Sequence, residues 1–182
     1  SDVQDGQTVS INISSDAGGT PINSTATVNS NSYSVTDLDL SSLNDGTLSI
    51  TADVSDLAGN SATQASDTSN KDTSAPSISV AINDGGDGFL NAAEESSVTI
   101  SGSTSDVQDG QTVSINISSD AGGTPVNSTA TVNSNSYSVT GLDLSSLNDG
   151  TLSITADVSD VAGNPATQAS DTSNKDTSAP SI

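Results

Sequence analysis

The chain has 182 residues, 23 of them acidic against two lysines, for a formal charge of −21, and it contains no Cys and no His. That excess of negative charge excludes nucleic acid and an anionic membrane surface as electrostatic partners and invites cations, while the missing Cys and His exclude disulfides and thiolate or imidazole metal sites. Leu, Ile, Val and Phe supply about a fifth of the residues, near the compositional border with disorder, and no apolar run approaches the roughly 20 residues of a membrane-inserted helix.

Ser1 to Ile78 realigns on Ser105 to Ile182 at an offset of 104, and only the pairs Ile22/Val126, Asp37/Gly141, Leu57/Val161 and Ser61/Pro165 differ. So long and faithful a repeat means whole domains in tandem rather than a solenoid. The expected division is a partial module over 1–75, lacking its first strands, and a complete module over 76–182 that ends in the start of the next linker. Within the complete module apolar and polar residues alternate, as in Val113, Ile115, Ile117 and in Leu152, Ile154, Ala156, Val158. This period of two reads as half-buried antiparallel strands, placed near 77–82, 97–103, 111–118, 126–132, 135–140, 151–158 and 166–172. A helical turn is expected over Leu142, Leu144 and Leu147. The fold class is therefore all-β: tandem immunoglobulin-like β-sandwich modules, end to end, of about seven antiparallel strands each. With Tyr137 and Phe89 as its only aromatics the core is thin, and bound cations are the expected staple in place of disulfides.

Alternating strand direction sorts the loops by end. Asp106 and Asp109, Asn133 and Asn135, and Asp160 and Asn164 fall at the pole where the linker bearing Asp72 enters. Asp84, Asp87 and Glu94, then Asp120, Asp149 and Asp176, fall at the opposite pole. Oxygen-only ligands on loops suit Ca2+, which takes six to eight oxygens. Set on the twelve-residue calcium-loop template, Asn83 to Glu94 places Asp87 at five, Gly88 at six and Glu94 at twelve, with Phe89 and Asn91 between them. Asn83 and Gly85 fit positions one and three less well, and the flanks are strands rather than helices. The turn Asp160-Val161-Ala162-Gly163-Asn164, repeating Asp56-Leu57-Ala58-Gly59-Asn60, reads either as a plain turn or as an oxygen pair for an ion. Asp109-Gly110 and Asp5-Gly6 carry the same two readings, and Asp2 is the earlier copy of Asp106. Pro76 and Pro180 make the Asp-Thr-Ser-Ala-Pro linkers short and extended, so that several Ca2+ ions per module, at its poles and at the joint with the neighbouring module of the same chain, are expected.

At Asp87-Gly88-Phe89-Leu90-Asn91-Ala92-Ala93-Glu94, the two Asp-x-Ala-Gly-Asn turns and the Asp-Thr-Ser-Ala-Pro linkers at 72–76 and 176–180, the chain resembles the bacterial immunoglobulin-like extender repeats of giant RTX and biofilm-associated adhesins secreted by type I systems. The resemblance implies an extracellular, calcium-rigidified rod that holds a distal adhesive domain away from a Gram-negative cell surface. It also implies calcium at module junctions. Gly85 departs from the pattern where a further acidic ligand is expected.

Three function classes follow. A structural extender explains near-identical modules, because a rod needs equivalent units whereas catalysis needs one good site. A calcium-dependent carbohydrate- or surface-binding module is the alternative; it would need an open coordination position and usually an aromatic platform, and Tyr137 and Phe89 are expected in the core. An enzyme would have to work with carboxylates in polar turns, lacking the apolar pocket that raises one carboxyl pKa, so no enzymatic role is expected.

Overall fold

A computed structural model describes residues 3–182 and parts them into two compact units between Thr73 and Ser74. Unit 1 carries β1 (Thr8–Ser15), β2 (Ile22–Thr27), β3 (Gly46–Asp53) and β4 (Ala65–Lys71) in one antiparallel sheet of order β2-β1-β3-β4. Unit 2 carries β5 (Ser77–Ile78), β6 (Ala81–Asn83), β7 (Phe89–Leu90), β8 (Val98–Ser105), β9 (Thr112–Ser119), β10 (Val126–Thr131), β11 (Ser136–Leu142), β12 (Gly150–Asp157) and β13 (Ala169–Lys175). These form two sheets, β10-β9-β12-β13-β7 and β11-β8-β5, with β6 also paired to β8. The fold is an all-β sandwich.

Alternation builds the sandwich. Val113, Ile115 and Ile117 on β9 and Leu152, Ile154 and Ala156 on β12 point one way and are at most 2% exposed. They meet Val98, Ile100 and Tyr137 from the facing sheet and Ile82 and Leu90 from the incoming segment in one core. Burial of an Ile or Leu side chain stabilises by about 1.5–3 kcal/mol, which is how a core with one large aromatic holds. Tyr137 is 4% exposed and donates its hydroxyl to the Ser79 carbonyl at 2.7 Å. Gly102 makes room for that bond, because a Cβ there would run into the same carbonyl and lie 2.6 Å from Tyr137 Oη.

The structure corrects the sequence reading in five places. The strand expected over 77–82 is interrupted at 79–80, where Ser79 Oγ accepts the Ser103 N–H at 2.9 Å and takes the place of a ladder bond. The last strand begins at Ala169 rather than 166, because Ala166 N bonds the Val158 carbonyl and Gln168 bonds the Asp157 carboxylate. A short strand, β7, went unpredicted, and it runs parallel to β13, so the pairing is not antiparallel throughout. Of the helical turn expected over Leu142 to Leu147 only one hydrogen-bonded turn forms, Leu147 N to the Leu144 carbonyl at 3.1 Å, while Leu142 ends β11 opposite Val98 and Leu147 bridges Gly123. Phe89 is 54% exposed and outside the core.

Candidate functional site at the poles

The loop end of β8 leads straight into β9, and Asp157 at the end of β12 pairs with Ser114 near the start of β9, so loops 106–111, 132–135 and 158–168 share one pole of unit 2. Their side chains interlock. Asp109 Oδ1 accepts the Ser134 N–H at 2.8 Å, and Gln108 Oε1 accepts the Val161 N–H at 2.9 Å. Asp106 sits at φ +61° with its carboxylate 3.4 Å from Ser105 Oγ. Asp160 is 4% exposed, and both its oxygens face Asn164, one accepting the backbone N–H at 2.8 Å and the other the side-chain amide at 2.9 Å. The Asn164 amide holds the Asp160 carboxyl below its ordinary pKa. The Asp-x-Ala-Gly-Asn segment is thus a self-closed turn, and Gly163 at φ +94° supplies its left-handed residue.

At the other pole, loop 83–94 is a chain of local side-chain-to-backbone turns. Asn83, Asp84, Asp87 and Asn91 each accept an N–H two residues on, from Gly85, Gly86, Phe89 and Ala93. Glu94 Oε2 accepts the Asn91 N–H at 3.1 Å, and Glu94 Oε1 lies 3.1 Å from where a Cβ on Gly85 would stand. Glu94 therefore folds back over the start of the loop, and an acidic side chain at 85 would crowd it. Asp84 Oδ2 also accepts the Ser173 hydroxyl at 2.8 Å, the main cause of its lowered pKa. This bond, together with Asn174 N to Gly88 O and Asp176 N to Leu90 O, fastens the loop to β13.

Lys175, which the sequence reading passed over, organises this pole together with Asp149. Lys175 is 5% exposed and reaches the Leu147 carbonyl at 2.6 Å, Glu95 at 2.8 Å and Asp149 at 3.7 Å. Asp149 in turn accepts Thr177 N at 3.1 Å and the Thr177 hydroxyl at 3.0 Å, and the Thr177 N–H is the leading cause of its lowered pKa. Hence the outgoing linker is tied back onto its own module beside a buried cation. Asp176 accepts the Ser178 N–H at 3.0 Å. The signal was present in the sequence: two cations in the whole chain, at equivalent positions before equivalent linkers.

Unit 1 repeats part of this. Asp56 and Asn60 make the same two bonds at 2.8 and 2.9 Å, with the Asp56 carboxyl lowered by the Asn60 amide. Lys71 reaches Asp45 and the Leu43 carbonyl, and Asp45 accepts Thr73 N at 2.8 Å; the Lys71 ammonium, then Thr73, hold the Asp45 carboxyl far below the carboxylate range. Asp5 and Asp72 lie on exposed backbone, and Asp2 lies outside the described residues. The donors at both poles are carboxylate and amide oxygens, the chemistry of a hard divalent cation. Among the described residues, no three acidic side chains already converge on one point.

No protein-family model matches the chain, and no curated protein matches it. Solved structures do. A tetra-tandem repeat in the extending region of a large adhesion protein is 36% identical over 96% of this chain and 42% of that one, with a TM-score of 0.48. A 1.5-MDa bacterial ice-binding adhesin, solved for its retention at the host cell surface, is 25% identical over 94% of this chain and 54% of that one, with a TM-score of 0.50. The chain is similar to the repeats of large bacterial adhesins. These adhesin-like modules span about half the length of the two solved chains, 42% and 54%. Fibronectin(III)-like modules of Clostridium thermocellum CbhA are 12% identical over 97% of this chain and 80% of that one, with a TM-score of 0.41.

Proposed function

We propose that the chain is a stretch of spacer modules of an extracellular bacterial cell-surface adhesin, whose task is to add length between the cell and a distal adhesive domain. The observation that carries this is the repetition of a whole domain with four differing pairs; the likeness to a bacterial adhesin over 94% of the chain supports the setting. No catalytic role is proposed. Calcium would be held by the oxygens of Asp84, Asp87, Asn91 and Glu94 with the Phe89 carbonyl, and by Asp106, Asp109, Asp160 and Asn164 at the other pole. Bound there, a divalent cation supplies the positive charge that lets neighbouring carboxylates approach, since each unscreened pair at 4 Å repels by about 1 kcal/mol even at the dielectric of water. Removing it loosens the loops and the linkers they adjoin. The test is chelation of the 182-residue chain. If EDTA changes neither the melting temperature nor the length derived from X-ray scattering, calcium stiffening is wrong, while unchanged two-module length would leave the spacer itself standing.

The surface-binding alternative gains one observation, the exposure of Phe89 next to Asp87. An aromatic face beside a carboxylate loop is the platform that a calcium-dependent glycan site uses. A glycan-array signal abolished by both Phe89→Ala and Asp87→Asn would promote it.

A further inference from the structure

One stretch of each unit carries no charge at all. In a chain with a formal charge of −21, residues 121–142 hold no Asp, Glu or Lys, and neither do residues 17–36. In unit 2 this stretch builds one side of the sandwich: β10 is the edge of one sheet, β11 is the edge of the other, and the Asn133–Ser136 bridge turns the corner between them. Val132 makes both its backbone bonds with Gly110 and Gln111, just before β9, and direction alternates along an antiparallel strand. The N–H and C=O groups of Asn127, Thr129 and Thr131 therefore point out of the sheet, and all three residues are exposed. Val28 makes the same two bonds with Gly6 and Gln7, so β2 presents Asn23, Thr25 and Thr27 in the same way.

An open row of backbone groups templates a further strand, and folds blunt such edges with charge, proline, bulges or very short strands. The other edges of unit 2 are blunted. β11 shifts register between Val139 and Leu142, β5 and β6 are two and three residues long, and β13 is covered by the two residues of β7. β10 runs for six residues in unbroken register with neither proline nor charge inside it. The Asn127 side chain is drawn back over β9 by the Asn116 amide at 2.8 Å, which leaves the edge clear.

We propose that the β10 edge is a pairing site for the same edge of a second copy of this chain, joined antiparallel about Thr129. In that register Thr129 faces its own copy and Asn127 faces Thr131, so the outward backbone groups of both edges bond each other and the opposed Thr side chains add cross-strand contact. Charge selects the occupant. A second chain as acidic as this one meets like charge at the poles and none along this side, whereas a cationic partner would be drawn to the poles instead.

The test follows the 182-residue chain by sedimentation equilibrium and amide exchange from about 10 µM to about 1 mM. The expected result is association that grows with concentration, with about tenfold slower exchange at Asn127, Thr129 and Thr131 and no change at Ser128 and Ala130, which already bond β9. That alternation marks edge pairing, since packing of sheet faces would not produce it. Thr25→Glu combined with Thr129→Glu sets like charges opposite each other and should keep the chain monomeric. Thr25→Pro combined with Thr129→Pro removes only outward N–H groups and should do the same; if the prolines unfold the sheets, the glutamates on exposed positions still decide. A parent chain that stays monomeric at about 1 mM overturns the proposal. So does association that survives the glutamates, or that protects residues other than the alternating three.

Discussion

Tyr33 and Tyr137 sit in identical stretches, Asn-Ser-Tyr-Ser-Val-Thr, and end in different environments: one is 46% exposed on irregular backbone, the other 4% exposed in a strand with its hydroxyl bonded to Ser79. Lys71 and Lys175 differ in the same sense. Lys175 has Glu95, Asp149 and a carbonyl around it and is nearly inaccessible, whereas the Lys71 side chain is 17% exposed and pairs with Asp45. The sheet β2-β1-β3-β4 forms in both contexts because all its strands are present in both, the neighbours β1-β2 and β3-β4 joined by the longer-range β1-β3 ladder. The second sheet forms only where β8 is present to pair with. Local alternation therefore makes a strand possible, and an edge to pair with makes it real.

The sharpest way to break this comparison is to make the same cut in both copies. Ile154→Ala should destabilise unit 2 by about 2–5 kcal/mol, the range for emptying a fully enclosed site. Ile50→Ala, whose side chain is only partly covered, should cost unit 1 less than about 1.5 kcal/mol. Denaturation followed by the NMR signals of each unit separates the two, and equal losses would show that Ile50 is as enclosed as Ile154. Next in size, Lys175→Met leaves Glu95 and Asp149 without their ammonium and should cost about 2–4 kcal/mol, against about 1 kcal/mol or less for Lys71→Met.

A third contrast is in pH. Burial pushes the Tyr137 phenol up to about 12 from its ordinary 10.0. A raised phenol pKa means the folded state keeps its proton longer than the unfolded chain, so this contribution is intact below pH 10 and declines as pH rises from 10 towards 12. Urea unfolding of unit 2 should lose stability across that window by more in the parent chain than in Tyr137→Phe, and the difference removes the titration of the lysines. The smallest effect is expected in acid. The Asp45 and Asp149 carboxyls are held below 3.8 mainly by Lys71 and by the Thr177 N–H respectively. Their contribution is present above the unfolded value near 4 and is lost as pH falls through the depressed one. The amide signals of Thr73 and Thr177 should therefore move only below pH 4, that of Thr73 the later of the two, and Asp149→Asn should shift the Thr177 signal already at pH 7.

Much of the fold was legible. The alternation at 112–119 and 150–157 sets both register and facing, since a slip of one residue would turn Ile115 and Ile154 to solvent. What was not legible depends on partners distant in sequence. Two residues of β7 are too short for a periodic signal and exist because β13 offers an edge. Phe89 looks like core by composition, yet it alternates with the fully buried Leu90 and so must point away. Around the candidate site, the sharing of one pole by loops 106–111, 132–135 and 158–168 was readable from strand parity. The mutual closure of Asp160 and Asn164 was not, because a side-chain amide facing a carboxylate within its own turn leaves the same sequence trace as two ligands awaiting an ion.

The parallel pairing of β7 with β13 has a mechanical meaning. In unit 2 the incoming segment pairs with the end of β8 at one pole, and β13 leaves beside Gly150 at the other. Tension applied through the two linkers therefore runs along the strands. The bonds from Asn174 to Gly88 and from Asp176 to Leu90, with Ser173 on Asp84 and Lys175 on Glu95, lie across that line. Loaded in shear, they must give way together rather than unzip one after another, so the module should yield to a sustained pull late and abruptly.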